Sequence, residues 1–127
     1  MRLLIDTHIF LWLVSDSREL KPQARQWLVE ADAVYVSAAS IWEIAIKVAL
    51  KKLKADPAEL VDAIAKTGLQ ELPITAKHAA MLATLPQFPD HNDPFDRLLV
   101  AQALTEPLLL VTNDKQLTRY GSLVRLT

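Results

Sequence analysis

Hydrophobic and polar positions along the chain fall into two alternating patterns. Short, nearly continuous apolar runs have the length and branched composition of buried strands: RLLID (2–6), AVYVS (33–37), LQELPI (69–74) and LLLVT (108–112), with SLVRL (122–126) as a weaker fifth. Between them, apolar residues recur every three or four positions, as on one side of a helix. In KPQARQWLVEA, Pro22 stands in the first turn and Ala24, Trp27, Leu28 and Ala31 share a side. ASIWEIAIKVALKKL is apolar over most of its surface and turns basic at its end, where lysine complements the helix dipole. DPAELVDAIAKTG carries its own punctuation, with Asp56 as N-cap, Pro57 at the first position and Gly68 as terminator. Thr75 can cap TAKHAAMLATL, and Asp93 can cap PFDRLLVAQAL.

Strands that alternate with helices predict an α/β fold in which a parallel sheet is covered on both faces. A length of 127 residues, 51% of them hydrophobic, suits one compact domain spanning 1–127. The opening MRLLIDTHIFLWLV has the look of a secretory leader, but Asp6 and His8 interrupt it and no small-residue cleavage site follows. No run is long enough to span a bilayer, so the reading is a soluble, cytoplasmic protein without membrane contact. Absence of cysteine excludes disulfides, thiolate nucleophiles and zinc–sulfur sites. Only two glycines occur, which leaves no phosphate-cradling loop. With 14 basic and 15 acidic residues there is no global positive field, and any handling of nucleic acid must be local. No Ser-His-Asp order emerges, which argues against acyl transfer.

The chemistry lies with the acids. In open parallel sheets, ligands bind beyond the carboxyl ends of the strands, near the point where strand order reverses. Asp6 ends the first strand, Asp114 lies just past LLLVT, and Glu43 sits in the helix after AVYVS. Asp96 falls in the first turn of the helix before LLLVT and has Leu99, Val100 and Ala103 as same-face neighbours. Each has a local alternative. Asp93 and Asp96 suit a helix N-terminus, Asp114 can cap the short helix that follows it, and Glu43 can pair with Lys47. Asp93 can likewise pair with Arg97. Four acids converging on one cleft would repel one another, and a hard divalent cation such as Mg²⁺ or Mn²⁺ resolves that conflict. The chemistry this suggests is hydrolysis of a phosphodiester.

LLIDTHIFLWL, SAASIWEIAIK, HNDPFDRLLVAQA and LVTND, in this order and over essentially the whole chain, resemble PIN-domain proteins, in particular the VapC-type ribonuclease toxins of bacterial type II toxin–antitoxin pairs. The resemblance implies a three-layer α/β/α domain with a five-stranded parallel sheet in the order 3-2-1-4-5. It also implies a metal-dependent endoribonuclease with Asp6, Glu43, Asp96 and Asp114 as catalytic acids. Asp6, Asp96 and Asp114 would hold Mg²⁺, with Mn²⁺ able to substitute, while Thr7, Asp93 and Thr112 would support them. Arg97 and Lys115, next to the acids, are expected to touch the scissile phosphate. Lys47, with Lys51, Lys52 and Lys54, forms a basic patch that can steer RNA or simply solvate a helix end. Partners implied by the resemblance are RNA, a VapB-like antitoxin and a second copy of the chain. Trp12, Trp42 and Phe10 can line the antitoxin groove or pack in the core. No role follows for His8, and neither His78 nor His91 has an evident partner. The alternatives are a catalytically inactive PIN-like binding module or an aspartyl-phosphate phosphoryl-transfer domain with Asp6 as nucleophile.

Overall fold

A computed structural model describes residues 1–127. Five strands, β1 (Arg2–Ile5), β2 (Ala33–Ser37), β3 (Gln70–Leu72), β4 (Leu109–Thr112) and β5 (Val124–Leu126), form one parallel sheet in the order β3-β2-β1-β4-β5. The helices are α1 (Thr7–Val14), α2 (Pro22–Glu30), α3 (Ala38–Ala49), α4 (Pro57–Lys66), α5 (Ala76–Met81) and α6 (Pro94–Thr105). Two 3-10 segments, Leu82–Thr84 and Lys115–Tyr120, complete the chain's regular structure. The expected α/β/α architecture and strand order are both present.

Alternation along the central strands divides the core into two layers. Leu3, Ile5, Val34, Val36 and Val111 face one side, where Ile9 and Phe10 of α1, Ala24 of α2 and Leu60 and Ile64 of α4 cover them. Leu4 and Leu110 face the other side, against Leu98, Leu99, Ala101 and Ala103 of α6 and Leu117 and Tyr120 beyond β4. Leu4 and Leu110 are fully buried, so truncating either to alanine should cost about 2–5 kcal/mol through lost transfer energy and the cavity left behind.

Local signals set most boundaries. Asp56 accepts from the Ala58 amide, Pro57 opens α4, and Gly68 takes φ +79° just after it. The strand expected over 69–74 shrinks to three residues. It is an edge strand with Gln70 and Glu71 exposed, and Pro73 has no N–H to continue the ladder. α1 was not foreshadowed by the pattern, because THIFLWLV is apolar on nearly every side and runs on directly from a strand. Asp6 starts it by accepting from the Ile9 amide. No helix is long and apolar enough to cross a membrane.

Candidate active site

β1 lies between β2 and β4, so chain connections leave it in opposite directions and open a crevice at the carboxyl edge. A cleft of about 550 Å³ occupies that position, lined by Asp6, Glu43, Asp93, Asp96 and Asp114 with Thr7, His8, Trp12, Lys47, Asn113 and Lys115. All four acids expected from the sequence therefore meet in one place, and Asp93 joins them.

Each acid is held by a local device. Asp6 is buried; its Oδ1 accepts from Ile9 N at 2.9 Å and its Oδ2 from Thr112 Oγ1 at 2.5 Å. Thr112 Oγ1 in turn accepts from the Asp114 amide at 3.0 Å, so one fully buried hydroxyl ties the first acid to the last. Asp114 Oδ1 caps the following 3-10 segment through Gln116 N at 2.9 Å. Asp93 Oδ1 caps α6 through the amides of Phe95 and Asp96 at 2.9 and 3.0 Å. Glu43 is buried on α3, where Oε1 accepts from Thr7 Oγ1 at 2.7 Å and Oε2 pairs with Lys47 Nζ at 2.8 Å. The capping and pairing alternatives are thus realised for Asp93, Asp114 and Glu43, inside the cleft rather than away from it. Ser40, 2.9 Å from Thr7 Oγ1, joins this group without being among the expected site residues. Its position three residues before Glu43, on the same side of α3, was the available signal.

The electrostatics show uncompensated negative charge. Burial pushes the Asp6 carboxyl above its ordinary range, and the nearby Glu43 charge adds to this. The hydrogen bonds from Thr112 and Ile9 and the nearness of His8 pull the other way without prevailing. Asp96 is pushed up to about 6, first by burial and then by the charge of Asp93, with a smaller contribution from Asp6. Only His91 opposes the rise, through Nε2 at 3.2 Å from Oδ2. Five carboxylates face two lysines, one of which is already committed to Glu43. The donors are mostly carboxylate and hydroxyl oxygens, with His8 and His91 as the nitrogen donors beside them, and donor atoms of His91, Asp96 and Asp114 lie within 4.8 Å of one another. Hard oxygen donors with excess negative charge fit a divalent cation of the Mg²⁺ or Mn²⁺ class.

Other expectations need correction. Arg97 does not reach the cleft and does not pair with Asp93. It is buried, with Nη1 donating to Pro86 O at 2.9 Å and to the Tyr120 hydroxyl at 3.1 Å, and its guanidinium lies 5.9 Å from the Tyr120 ring centre. One residue on from Asp96, it is turned by about 100° around α6 and so faces away from the acids. Phe10 is fully buried and belongs to the core, whereas Trp42 is 55% exposed and packs edge-on against Phe95 at 4.8 Å. Trp12 lines both the acidic cleft and a second, more apolar groove of about 510 Å³ between α1, α3 and α4. Histidine partners, invisible in the sequence, are now evident. His78 completes the α5 capping box and approaches Glu106 at 2.6 Å, and His91 bridges Tyr120 and Asp96.

Comparison with known proteins bears on this geometry. The PIN domain family model matches residues 3–123. Ribonuclease VapC22 of Mycobacterium tuberculosis (strain ATCC 25618 / H37Rv) is 31% identical over 121 residues, covering 90% of this chain and 88% of the relative. Among solved structures, VapBC2 from Rickettsia felis bound to a DNA fragment from its promoter superposes with a TM-score of 0.73 at 19% identity, covering 100% of this chain and 98% of that chain. A toxin–antitoxin complex from Klebsiella pneumoniae gives a TM-score of 0.67 at 22% identity, over 97% of this chain and 95% of that chain. At these identities the two structures speak to the fold alone.

Proposed function

The chain belongs to the PIN domain family, and from that premise we propose that residues 1–127 act as one PIN domain, a divalent-metal-dependent endoribonuclease toxin neutralised by a cognate antitoxin. The observation that carries this reading is the gathering of Asp6, Glu43, Asp96 and Asp114 in one cleft, with the Asp6 and Asp96 carboxyls held above their ordinary range by burial and mutual repulsion. Its similarity to a relative named as a ribonuclease supports the choice of RNA.

Asp6, Asp96 and Asp114 would hold Mg²⁺ or Mn²⁺. Such an ion, when bound, polarises a phosphoryl oxygen and lowers the pKa of a coordinated water. The chain's own residues do the positioning. Thr112 fixes Asp6 and the Asp114 backbone together, and Thr7 with Ser40 fixes Glu43 at the cleft margin. There Glu43 orients the attacking water, and Asp93 supports Asp96 by closing the first turn of α6. Lys115 and Lys47, both lining the cleft, meet the RNA backbone.

The groove between α1, α3 and α4 suits a VapB-like partner. Leu11, Trp12, Val14 and Leu60 give it an apolar floor, Lys47, Lys52 and Lys54 edge it, and Trp12 connects it to the acids. Similarity to toxin–antitoxin assemblies supports this partner, and a homodimer working in the cytoplasm completes the proposal. The test is cleavage of single-stranded RNA by purified protein with Mg²⁺. Activity should vanish in EDTA, return with excess Mn²⁺, and be lost in Asp6→Asn. Cleavage that persists in chelator would remove the metal from the mechanism.

A further inference from the structure

Four side chains form a connected line from beneath α6 to the cleft. Arg97 Nη1 donates to the Tyr120 hydroxyl at 3.1 Å, that hydroxyl lies 3.2 Å from His91 Nδ1, and His91 Nε2 lies 3.2 Å from Asp96 Oδ2. Arg97, Tyr120 and His91 are all buried. The two ends of the line fix the directions between them, because an ionised Asp96 carboxylate can only accept and so takes a hydrogen from His91 Nε2. At the other end a guanidinium can only donate, so the Tyr120 oxygen accepts from Arg97, and the proton of this buried phenol needs an acceptor of its own. His91 Nδ1 is the acceptor within its reach. A ring nitrogen that receives a proton is the bare one, which places the ring's hydrogen on Nε2, facing Asp96.

We infer that His91 is a positioning residue for Asp96, locked as its Nε2–H tautomer by Tyr120 and Arg97, so that it donates to Oδ2 and leaves Oδ1 to serve the cleft. This deepens the reading of Asp96 as a metal ligand and rests on it. The ring is well braced for such a task. It packs edge-on to Tyr120 at 5.8 Å, Tyr120 packs on Phe88 at 5.2 Å, and the His91 amide donates to Phe88 O at 3.0 Å. Phe88 is in turn covered by Arg119, 4.9 Å from its ring centre, which is clamped to both oxygens of Asp90. Proximity alone would make His91 a ligand, because its nitrogen shares a 4.8 Å cluster with Asp96 and Asp114. A nitrogen that carries hydrogen has no lone pair to give a metal, so the bond direction assigns His91 to holding Asp96 instead.

The experiment has two arms. Long-range ¹H–¹⁵N correlation on the metal-free, imidazole-labelled protein reports the tautomer directly. His91 should show a pyridine-type Nδ1 and a pyrrole-type Nε2; the reverse pattern would overturn the inference. In the second arm, Mn²⁺ affinity is measured by titration calorimetry for His91→Gln, His91→Asn and His91→Ala. A glutamine amide can donate from the place of Nε2, while asparagine reaches only the place of Nδ1. His91→Gln should therefore stay within about threefold of the parent, and the other two should weaken about 10–100-fold, as loss of a partner to a metal ligand does. Should His91→Ala fail to fold, the glutamine–asparagine pair and the parent spectrum still decide. Equal losses in glutamine and asparagine, or none in any variant, would overturn the positioning role while leaving the metal site intact. A parent protein that takes up no Mn²⁺ would overturn the metal assignment, and with it the purpose given to His91.

Discussion

Asp96→Asn separates the cleft's chemistry from its architecture, because the two pull stability in opposite directions. Folding lifts the Asp96 carboxyl from 3.8 to about 6. At about 1.4 kcal/mol for each tenfold change, keeping it ionised costs about 3 kcal/mol in the folded state. The side chain is 25% exposed, so solvent screening reduces this to about 1.5–2 kcal/mol. Against it stands the benefit of a negative charge in the first turn of α6, about 0.3–1 kcal/mol. Burial and repulsion win, by about 1 kcal/mol. An acid whose folded pKa is raised leaves the protein unpenalised below pH 4, and stability then falls as pH rises through 6. Asparagine does not titrate, and its carbonyl can still accept from His91.

Urea unfolding in EDTA, at intervals from pH 4 to 8, should show parent and Asp96→Asn equally stable at the acid end. The variant should be more stable by about 1 kcal/mol above pH 6.5. Adding Mg²⁺ at ten times its dissociation constant for the parent should raise the parent by about 1.4 kcal/mol and the variant far less, because the variant lacks one of the three proposed ligands. RNA cleavage by the variant should be lost throughout. A variant that is less stable than the parent at pH 7.5 without metal, or a difference that does not change with pH, would refute the account of Asp96 as an unpaired, partly desolvated charge. It would leave helix capping as the whole explanation.

Thr112→Val keeps the shape of a fully buried side chain but leaves Asp6 Oδ2 and the Asp114 amide without their partner. It should cost about 1–3 kcal/mol in urea unfolding, and the cost should grow as pH rises and Asp6 ionises, since the carboxylate needs the donor most. Arg97→Gln should lose about 2 kcal/mol of stability, while the salt dependence of RNA binding by the folded protein stays unchanged, as expected of a buried guanidinium; Lys115→Ala should flatten that dependence with little loss of stability. Lys51 takes φ +58° just after α3, where the Lys52 amide reaches back to Lys47 O. Lys51→Gly should therefore raise thermal stability by about 0.5–1 kcal/mol, and an unchanged melting temperature would count against strain at that turn.

What could be read in advance, and what could not, follows from how burial writes itself into sequence. β1 and β4 are covered on both faces, so their residues form continuous apolar runs, and the acids that end them stand out against that background. β3 lies at the sheet edge with two of its three residues exposed, and its run blurs into the turn at Pro73. α1 vanished for the opposite reason. Ile9 and Phe10 are in the core and Leu11 to Val14 are half-buried, so no polar face marks the period. α6 hides its orientation in the same way, because every residue from Arg97 to Ala103 is buried. Spacing on such a helix cannot tell which charge meets solvent, so adjacency to Asp96 points Arg97 toward the phosphate although it lies against the Tyr120 ring. His91 and Tyr120 are 29 residues apart. Their contact is a product of the fold, with no local sequence signature to announce it.

Capping and chemistry are usually weighed as rival accounts of an acid at a helix start, yet here one bond serves both. Asp6, Asp93 and Asp114 each spend Oδ1 on an amide at the start of a helical segment. That bond satisfies a backbone donor the helix leaves unpaired, and it also fixes the plane of the carboxylate in the cleft. Three of the four aspartates in the cleft are therefore oriented by backbone, and Asp6 adds one side-chain anchor, the Thr112 hydroxyl at the same sheet edge. Asp96, at the third position of α6, has no helix end to cap, and its anchored oxygen is Oδ2, met by an imidazole from the preceding loop. Its direction consequently depends on a loop that packing of Phe88, Arg119 and Tyr120 must hold in place. Changes far from the acids in that packing should act on the cleft through Asp96 first, leaving Asp6 and Asp114 where the sheet edge puts them.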